Sequence, residues 1–240
     1  VDVLYILGRG SRWGDNEIRY SLRGVDRYLP HRQVFVVGVK PDWLTNVIHI
    51  PAEDIYRAQK QANSIHKLTV ALADRRLESR VALMNDDFFI TKPVTLPLAY
   101  HHRGDLGESV RKHPTRRGYY WTSLRAMLAE LAKRGVGHPK DYSLHIPMEI
   151  DADKARWVCA EMAHLKETGY MWRTAYCNLA KVGGTRLRDV KVFRRWVGVP
   201  RDFHSFSTDP SVVLHQNCRK ALQTLYPGKS QFESDKGSVA

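Results

Sequence analysis

Asn85, Asp86 and Asp87 follow the apolar run at 81–84 and precede another at 88–90, so two carboxylates and an amide stand at the mouth of a pattern that predicts a buried strand. Hard divalent cations take oxygen ligands, and a cation held there neutralises the charge of a departing nucleoside diphosphate. One carboxylate would ligate Mn2+ or Mg2+ while its neighbour faces a ribose or a metal-bound water. The competing reading is a turn in which Asp86 caps the backbone and Asp87 is solvated.

Other residues bear on the same chemistry. Gly8-Arg9-Gly10 follows the apolar run "VLYIL", and small residues at such a place let backbone N–H groups approach a base or phosphate, although a simple turn has the same composition. Arg19 and Lys67 are candidate cations for a diphosphate, against the alternative of exposed helical charges. Asp209, in "STDPS", reads as a general base or metal-shell carboxylate and equally as a helix N-cap, and Glu149 and Asp151 are rival bases. In "RKHPTRRGYYW", Arg111, Lys112, Arg116 and Arg117 stand beside Tyr119 and Tyr120; "RLRDVKVFRRW" at 186–196 repeats the theme. Cations that neutralise phosphates next to rings that stack on bases suit nucleic acid, against a reading as solvated charge with core aromatics.

The elements that must position these residues follow from the pattern. Short β-branched runs at 3–7, 34–38, 47–50 and 81–84 alternate with helical periodicity, the rhythm of a mostly parallel Rossmann-type α/β sheet. Ile18, Leu22 and Val25 share a helical face that Asp15 or Asn16 would cap and Pro30 would stop; Ile65, Leu68 and Leu72 mark a second helix. In such sheets ligands settle beyond the carboxyl ends of the strands, so the loops after Leu7, Gly38 and Met84 should share one cleft. Residues 101–121 read as a long loop, followed by helices at 123–134, 152–167 and 210–225, and the closing "ESDKGSVA" reads as a frayed tail. Residues 1–100 are thus an expected α/β half with the ligand cleft and 101–240 a more helical half, packed as one continuous domain.

With 240 residues and 43% hydrophobic content the chain can bury a full core. A formal net charge of +13, from 38 Lys and Arg against 25 Asp and Glu, points to an anionic partner. Three cysteines without a CxxC pair support neither a disulfide framework nor a cysteine-rich zinc site, and a cytoplasmic location is expected. No apolar run is long enough to span a membrane.

Several stretches resemble, in order and spacing, the blocks of the Stealth family, which transfers sugar 1-phosphates from nucleotide sugars. They are "NEIRYSLRGVDRYLPHRQVFVVGVKPDWL", "NS" at 63–64, "LESRVALMNDDFFITKP", "HIPMEIDADKARWV", "TGYMWRTAYCN" and "STDPSVVLHQNCRKALQTLYPGKSQFE". The resemblance implies a GT-A-type nucleotide-sugar fold in which the half at 1–100 binds a nucleotide sugar and the half at 101–240 an acceptor, with Asn63 in the donor site, His145 as an active-site acid or base, Arg173 beside it and Asp209 in the closing block. It also implies a C-terminal histidine, His215 or else His204, as a closing metal ligand. The chain departs from the family pattern at Arg9, where an acidic residue is usual, at Lys67 or Leu68 in place of a helical Glu, and at Met148 in place of a second His. These features predict a metal-dependent glycosyltransferase using a UDP-sugar. The charge balance favours a DNA acceptor, by analogy of function with phage enzymes that glycosylate hydroxylated bases. Stealth-type hexose-phosphate transfer to a capsular glycan and a non-catalytic nucleic-acid-binding module are the alternatives.

Overall fold

A computed structural model describes residues 1–57, 59–167 and 169–234. The four β-branched runs become β1 (Asp2–Leu7), β2 (Val34–Gly38), β3 (Ile48–Ile50) and β4 (Arg80–Met84). They lie side by side in the order β3-β2-β1-β4, all parallel, and β7 (Met148–Asp151) adds antiparallel to β4. Successive side chains of a strand leave by opposite faces. Leu4, Phe35 and Val37 therefore pack with Ile65, Leu68 and Leu72 of α2 (Lys60–Leu72), while Val3, Tyr5 and Val36 pack with Ile18, Leu22 and Val25 of α1 (Asn16–Tyr28). Two covered faces explain why β1 and β2 are apolar almost throughout.

The rest of the chain builds around this sheet. In order come β5 (Phe88–Ile90), β6 (His101–His102), α3 (Leu106–Arg111), α4 (Tyr119–Lys133), β7, α5 (Ala152–Glu161), a 3-10 turn at Ala163–Leu165, α6 (Trp172–Leu179), β8 (Thr185–Arg186), β9 (Lys191–Val192), β10 (Ser205–Thr208) and α7 (Gln216–Leu225). A small sheet, β5-β10-β9, lies beside the large one, and β6 pairs with β8. The halves on either side of residue 100 share both larger sheets: β7 from the second half extends the first sheet, and β5 from the first half extends the second.

Local chemistry moved several boundaries away from expectation. The stretch 101–121 is not one loop. Asp105 accepts a hydrogen bond from the Glu108 backbone and starts α3, and Tyr119, Tyr120 and Trp121 form the first turn of α4. The helix expected over 152–167 ends at Glu161. The helix expected from 210 begins at Gln216, because the Asp209 carboxylate gathers the N–H groups of Ser211 and Val212 into a turn. Neither Asp15 nor Asn16 caps α1 through its side chain. Asp15 sits in the left-handed region at φ 58, and its N–H donates to the Ser11 hydroxyl.

The expected frayed tail is anchored as far as it is described, and residues 235–240 lie outside the described residues. Glu233 is buried, bridges to Leu44, and accepts from Arg19, Arg23 and both the backbone N–H and hydroxyl of Ser230. Burial alone would raise its carboxyl; Arg23, Ser230 and Arg19 outweigh that and hold it at about 2. A folded-state pKa depressed below the unfolded value gives stability that is present above the unfolded value and lost as pH falls through the folded one. Glu233→Gln leaves two guanidinium groups facing a neutral amide, so urea titration at pH 7 is expected to show a loss of about 3–5 kcal/mol. The deficit relative to wild type should shrink as pH drops from about 4.5 towards 2.

Candidate active site

The parallel strands end on one edge, where the segments after β1, β3 and β4 line a cleft of about 410 Å3; the loop after Gly38, expected to share it, contributes no lining residue. The cleft lining includes five cations, Arg9, Arg12, Lys60, Lys67 and Lys191, against five carboxylates, Glu17, Asp54, Asp86, Asp87 and Asp209. Gly8 and Gly10 bring the backbone of the β1 loop to its wall, with Gly10 at φ 127. The Ser11 hydroxyl donates to Glu17 and accepts from the backbone of Trp13 and Asp15, fixing that loop against the start of α1. Lys67 rises from α2 with almost no exposure and donates to the Leu7 carbonyl at 2.8 Å and to Asp54 at 2.6 Å. Gly38 makes this crossing possible: a Cβ there, at φ 106, would meet the Leu7 oxygen at 2.1 Å and the Lys67 side chain at 3.1 Å. Asn63 lines the wall and uses both ends of its amide to hold the backbone of Tyr56.

Asp86 and Asp87 occupy the turn between β4 and β5, with Asn85 beside them. Burial, then the neighbouring charges of Asp87 and Glu17, push the Asp86 carboxyl up to about 7. Asp87 accepts from the Ser207 hydroxyl at 2.7 Å and from Lys191 at 3.3 Å, partners supplied by β10 and β9. Among the described residues no three His, Cys, Asp or Glu side chains converge to enclose a metal ion. Two carboxylates still fit Mg2+ or Mn2+, ions that retain several waters and take further oxygens from a bound diphosphate.

A second lobe of about 290 Å3 meets the first at Ile6, Ser64 and Asn85. Its walls are mainly apolar and aromatic, with Leu68, Phe88, Tyr120, Met171 and Trp172, and His145 and Arg173 line it too. His145 Nδ1 lies 2.8 Å from Asp189, whose other oxygen accepts from the His145 backbone N–H; Arg103 bonds the same carboxylate. Against the upward push of burial, His145 and Arg103 hold the Asp189 carboxyl below its usual range. A carboxylate at Nδ1 fixes that nitrogen as the proton carrier and leaves Nε2 to accept a proton. Arg173 donates to the carbonyls of Ile146 and Leu144 on either side of His145, packs over Phe88, and is pushed down to about 10 by burial. It shapes the loop that presents the imidazole.

Other candidates fall elsewhere. Arg19 does not line the cleft: it is buried against Glu233 and Trp43, a consequence of the tail folding back onto α1. His215 caps α7 by accepting from the Asn217 backbone and does not line the cleft, so it gives no closing ligand. Asp209 lines the cleft, but burial is outweighed by bonds from Ser211, Arg194 and Val212 that hold it at about 2, which suits a turn rather than a base. Glu149 is tied to Arg80 and the Leu98 backbone, Asp151 caps α5, and His204 packs at a tilt against Phe203. Arg111, Lys112, Arg116 and Arg117 are exposed on the segment leading into α4; Arg116 lies over Trp121, Tyr119 is partly exposed, and Tyr120 turns inward to bond Ser143. Asp189, Lys191 and Ser207 were missed. The only signal was Asp189 and Lys191 alternating with Val190 and Val192 inside a stretch read as a basic run.

No known protein-family model matches the chain, and no curated protein sequence matches it. Among solved structures it is similar to the galactosyltransferase LgtC in complex with donor and acceptor sugar analogs, at 10% identity over 94% of this chain and 95% of that one, with a TM-score of 0.53. An active-site mutant of LgtC gives a TM-score of 0.51 at the same identity and the same coverage of both chains. At that identity the likeness is one of fold: a mostly parallel central sheet flanked by helices, the architecture of the GT-A glycosyltransferases.

Proposed function

We propose that this protein is a glycosyltransferase that binds a nucleotide sugar in the charged lobe and passes its sugar to a hydroxyl acceptor in the adjoining one. The carrying observation is the acidic pair at the carboxyl edge of β4, set among five cations in a single cleft. A pyrophosphate needs both: cations meet its oxygens, and carboxylates hold a divalent ion that neutralises the charge left on the departing nucleotide. Asp86 and Asp87 are the residues to hold Mn2+ or Mg2+. Arg9, Lys67 and the N–H groups of the Gly8–Gly10 loop bind and orient the diphosphate, and a UDP-sugar is the expected donor.

His145 is the acceptor's base in this reading. Asp189 keeps Nδ1 protonated and aligns the ring, so Nε2 takes the hydroxyl proton as the new bond forms. Asp189 is a positioning residue, as is Arg173. The apolar walls around His145 exclude water that would hydrolyse the donor.

The acceptor is proposed to be a polyanion, with DNA carrying a hydroxylated base as the first candidate. Support comes from the exposed cations at 111–117, which lead into α4, whose Tyr120 lines the acceptor lobe. A target base would have to be unpaired or flipped to reach the lobe. Transfer of a hexose phosphate to a glycan, as the Stealth resemblance implies, uses the same cleft, and mass spectrometry of candidate acceptors separates the two by the mass added.

With Mn2+, the purified protein is expected to release nucleotide from at least one nucleotide sugar, and Asp87→Asn to cut that release by about 10²–10³-fold with its circular dichroism unchanged. Silence across a full donor panel, together with nucleotide binding indifferent to Asp87→Asn, would instead leave a non-catalytic nucleic-acid-binding module. His145→Gln should lower transfer by about 10²-fold or more while UDP affinity stays at the wild-type value, and Asp189→Asn should move the pH profile of kcat as well as its height. If DNA is the acceptor, its retention should weaken with salt, and the double change Arg116→Ala and Arg117→Ala should reduce the salt slope by about 2. Retention that is absent at every salt concentration points to a neutral glycan.

A further inference from the structure

Lys191 sits on a two-residue strand whose register is set by β10: it pairs with Ser207, the residue whose hydroxyl donates to Asp87. Its ammonium lies 3.3 Å from Oδ2 of Asp87, the same oxygen that Ser207 bonds. Both side chains are mostly enclosed, at 13% and 18% exposure. A carboxylate oxygen offers two lone pairs in its plane, and here both have donors. Ser207 is neutral and can keep its bond beside a cation. An ion held by either oxygen of Asp87 would stand within a few ångströms of the ammonium, and that like-charge repulsion drives the ammonium away. The lysine has another place to go: it lines the donor cleft, within which a diphosphate would be bound, and its charge lies 5.8 Å from the Phe193 ring centroid.

We propose that Lys191 is a place-holding cation, which occupies Asp87 in the empty site and moves to the donor's diphosphate when a divalent ion takes the carboxylate. The proposal rests on the donor-site reading above. Its consequence is a coupling between ligands. Metal alone must displace an ammonium that has nowhere better to bind, whereas metal arriving with a nucleoside diphosphate gives that ammonium a new anionic partner. Metal and nucleotide therefore bind with mutual reinforcement, and by linkage each raises the other's affinity by the same factor.

The test counts free Mn2+ by electron paramagnetic resonance, with and without UDP, and needs no turnover. For the wild-type protein, UDP is expected to tighten Mn2+ binding by about tenfold or more. Lys191→Met should bind Mn2+ alone about tenfold more tightly than wild type and gain less from UDP, while Lys191→Arg, which keeps the charge, should retain weak binding and strong coupling. Equal Mn2+ affinities for wild type and Lys191→Met in the absence of UDP would overturn the competition and leave the donor site standing. Wild-type UDP binding that is indifferent to Mn2+ would also overturn it, since the ammonium would then be a permanent substitute for the metal. A wild-type protein that binds neither Mn2+ nor UDP would overturn both this proposal and the donor-site reading.

Discussion

Neighbouring carboxylates in a half-enclosed cleft repel one another, and the cost of keeping them charged governs the rest of the site. Asp86 shows it directly, lifted towards neutrality by burial and by the charges of Asp87 and Glu17. Asp87 is relieved by Ser207 and Lys191, which the chain supplies more than a hundred residues later. The small β5-β10-β9 sheet is thus part of the electrostatic solution: β5 continues directly from the acidic turn, and β10 and β9 return alongside it with a hydroxyl and an ammonium. The acidic turn acquires its partners only when the second half of the chain has folded against the first.

A similar long-range logic sets the outer wall. Lys67 crosses from α2 to the end of β1 through space that Gly38 leaves open, tying the edge of the sheet to the helix that walls the cleft. Its second partner, Asp54, belongs to the segment after β3, which Asn63 holds by the backbone of Tyr56. Lysine is suited to this task because its compact ammonium can serve a carbonyl and a carboxylate at once and still border the cleft. The second lobe is built by other means. Arg173 grips the carbonyls flanking His145, and Asp189 holds the imidazole from the opposite end, so ring orientation is fixed by two residues distant in sequence.

The sheet was legible because its signals are local. Short continuous apolar runs and the 3.6-residue spacing of Ile18, Leu22 and Val25 need no knowledge of tertiary contacts, and the acidic turn could be placed at a strand end from its flanks alone. Residues 119–121 were misread because breakers upstream hid a helix start with an unassisted Gly118 cap. Arg19 and His215 lie off the cleft, and Asp209 is held in a turn at its rim, for a different reason. Their types suit catalysis, but their partners are a glutamate 214 residues away, the backbone N–H of Asn217 and the N–H groups of a turn. Asp189 and Lys191 escaped because two-residue strands carry no periodicity, and because a positive stretch invites a reading by net charge in which the single aspartate and the inward lysine vanish.

The distribution of charge also bears on what the protein meets. Cations and carboxylates are equal in number along the charged cleft, so the whole excess of +13 lies outside it. A nucleotide sugar bound as proposed would not need that excess, because its charge would be met inside the cleft by lysines, arginines and the proposed ion. The excess is therefore available to something larger than the donor. Between α3 and α4 it is exposed rather than paired off in the core, on the approach to a lobe with aromatic walls. A neutral glycan would gain little from such a surface. A polyanion would be drawn to it over about a Debye length and oriented before its reacting group entered the lobe, so that under the proposed function the basic approach would serve capture and the apolar lobe selection.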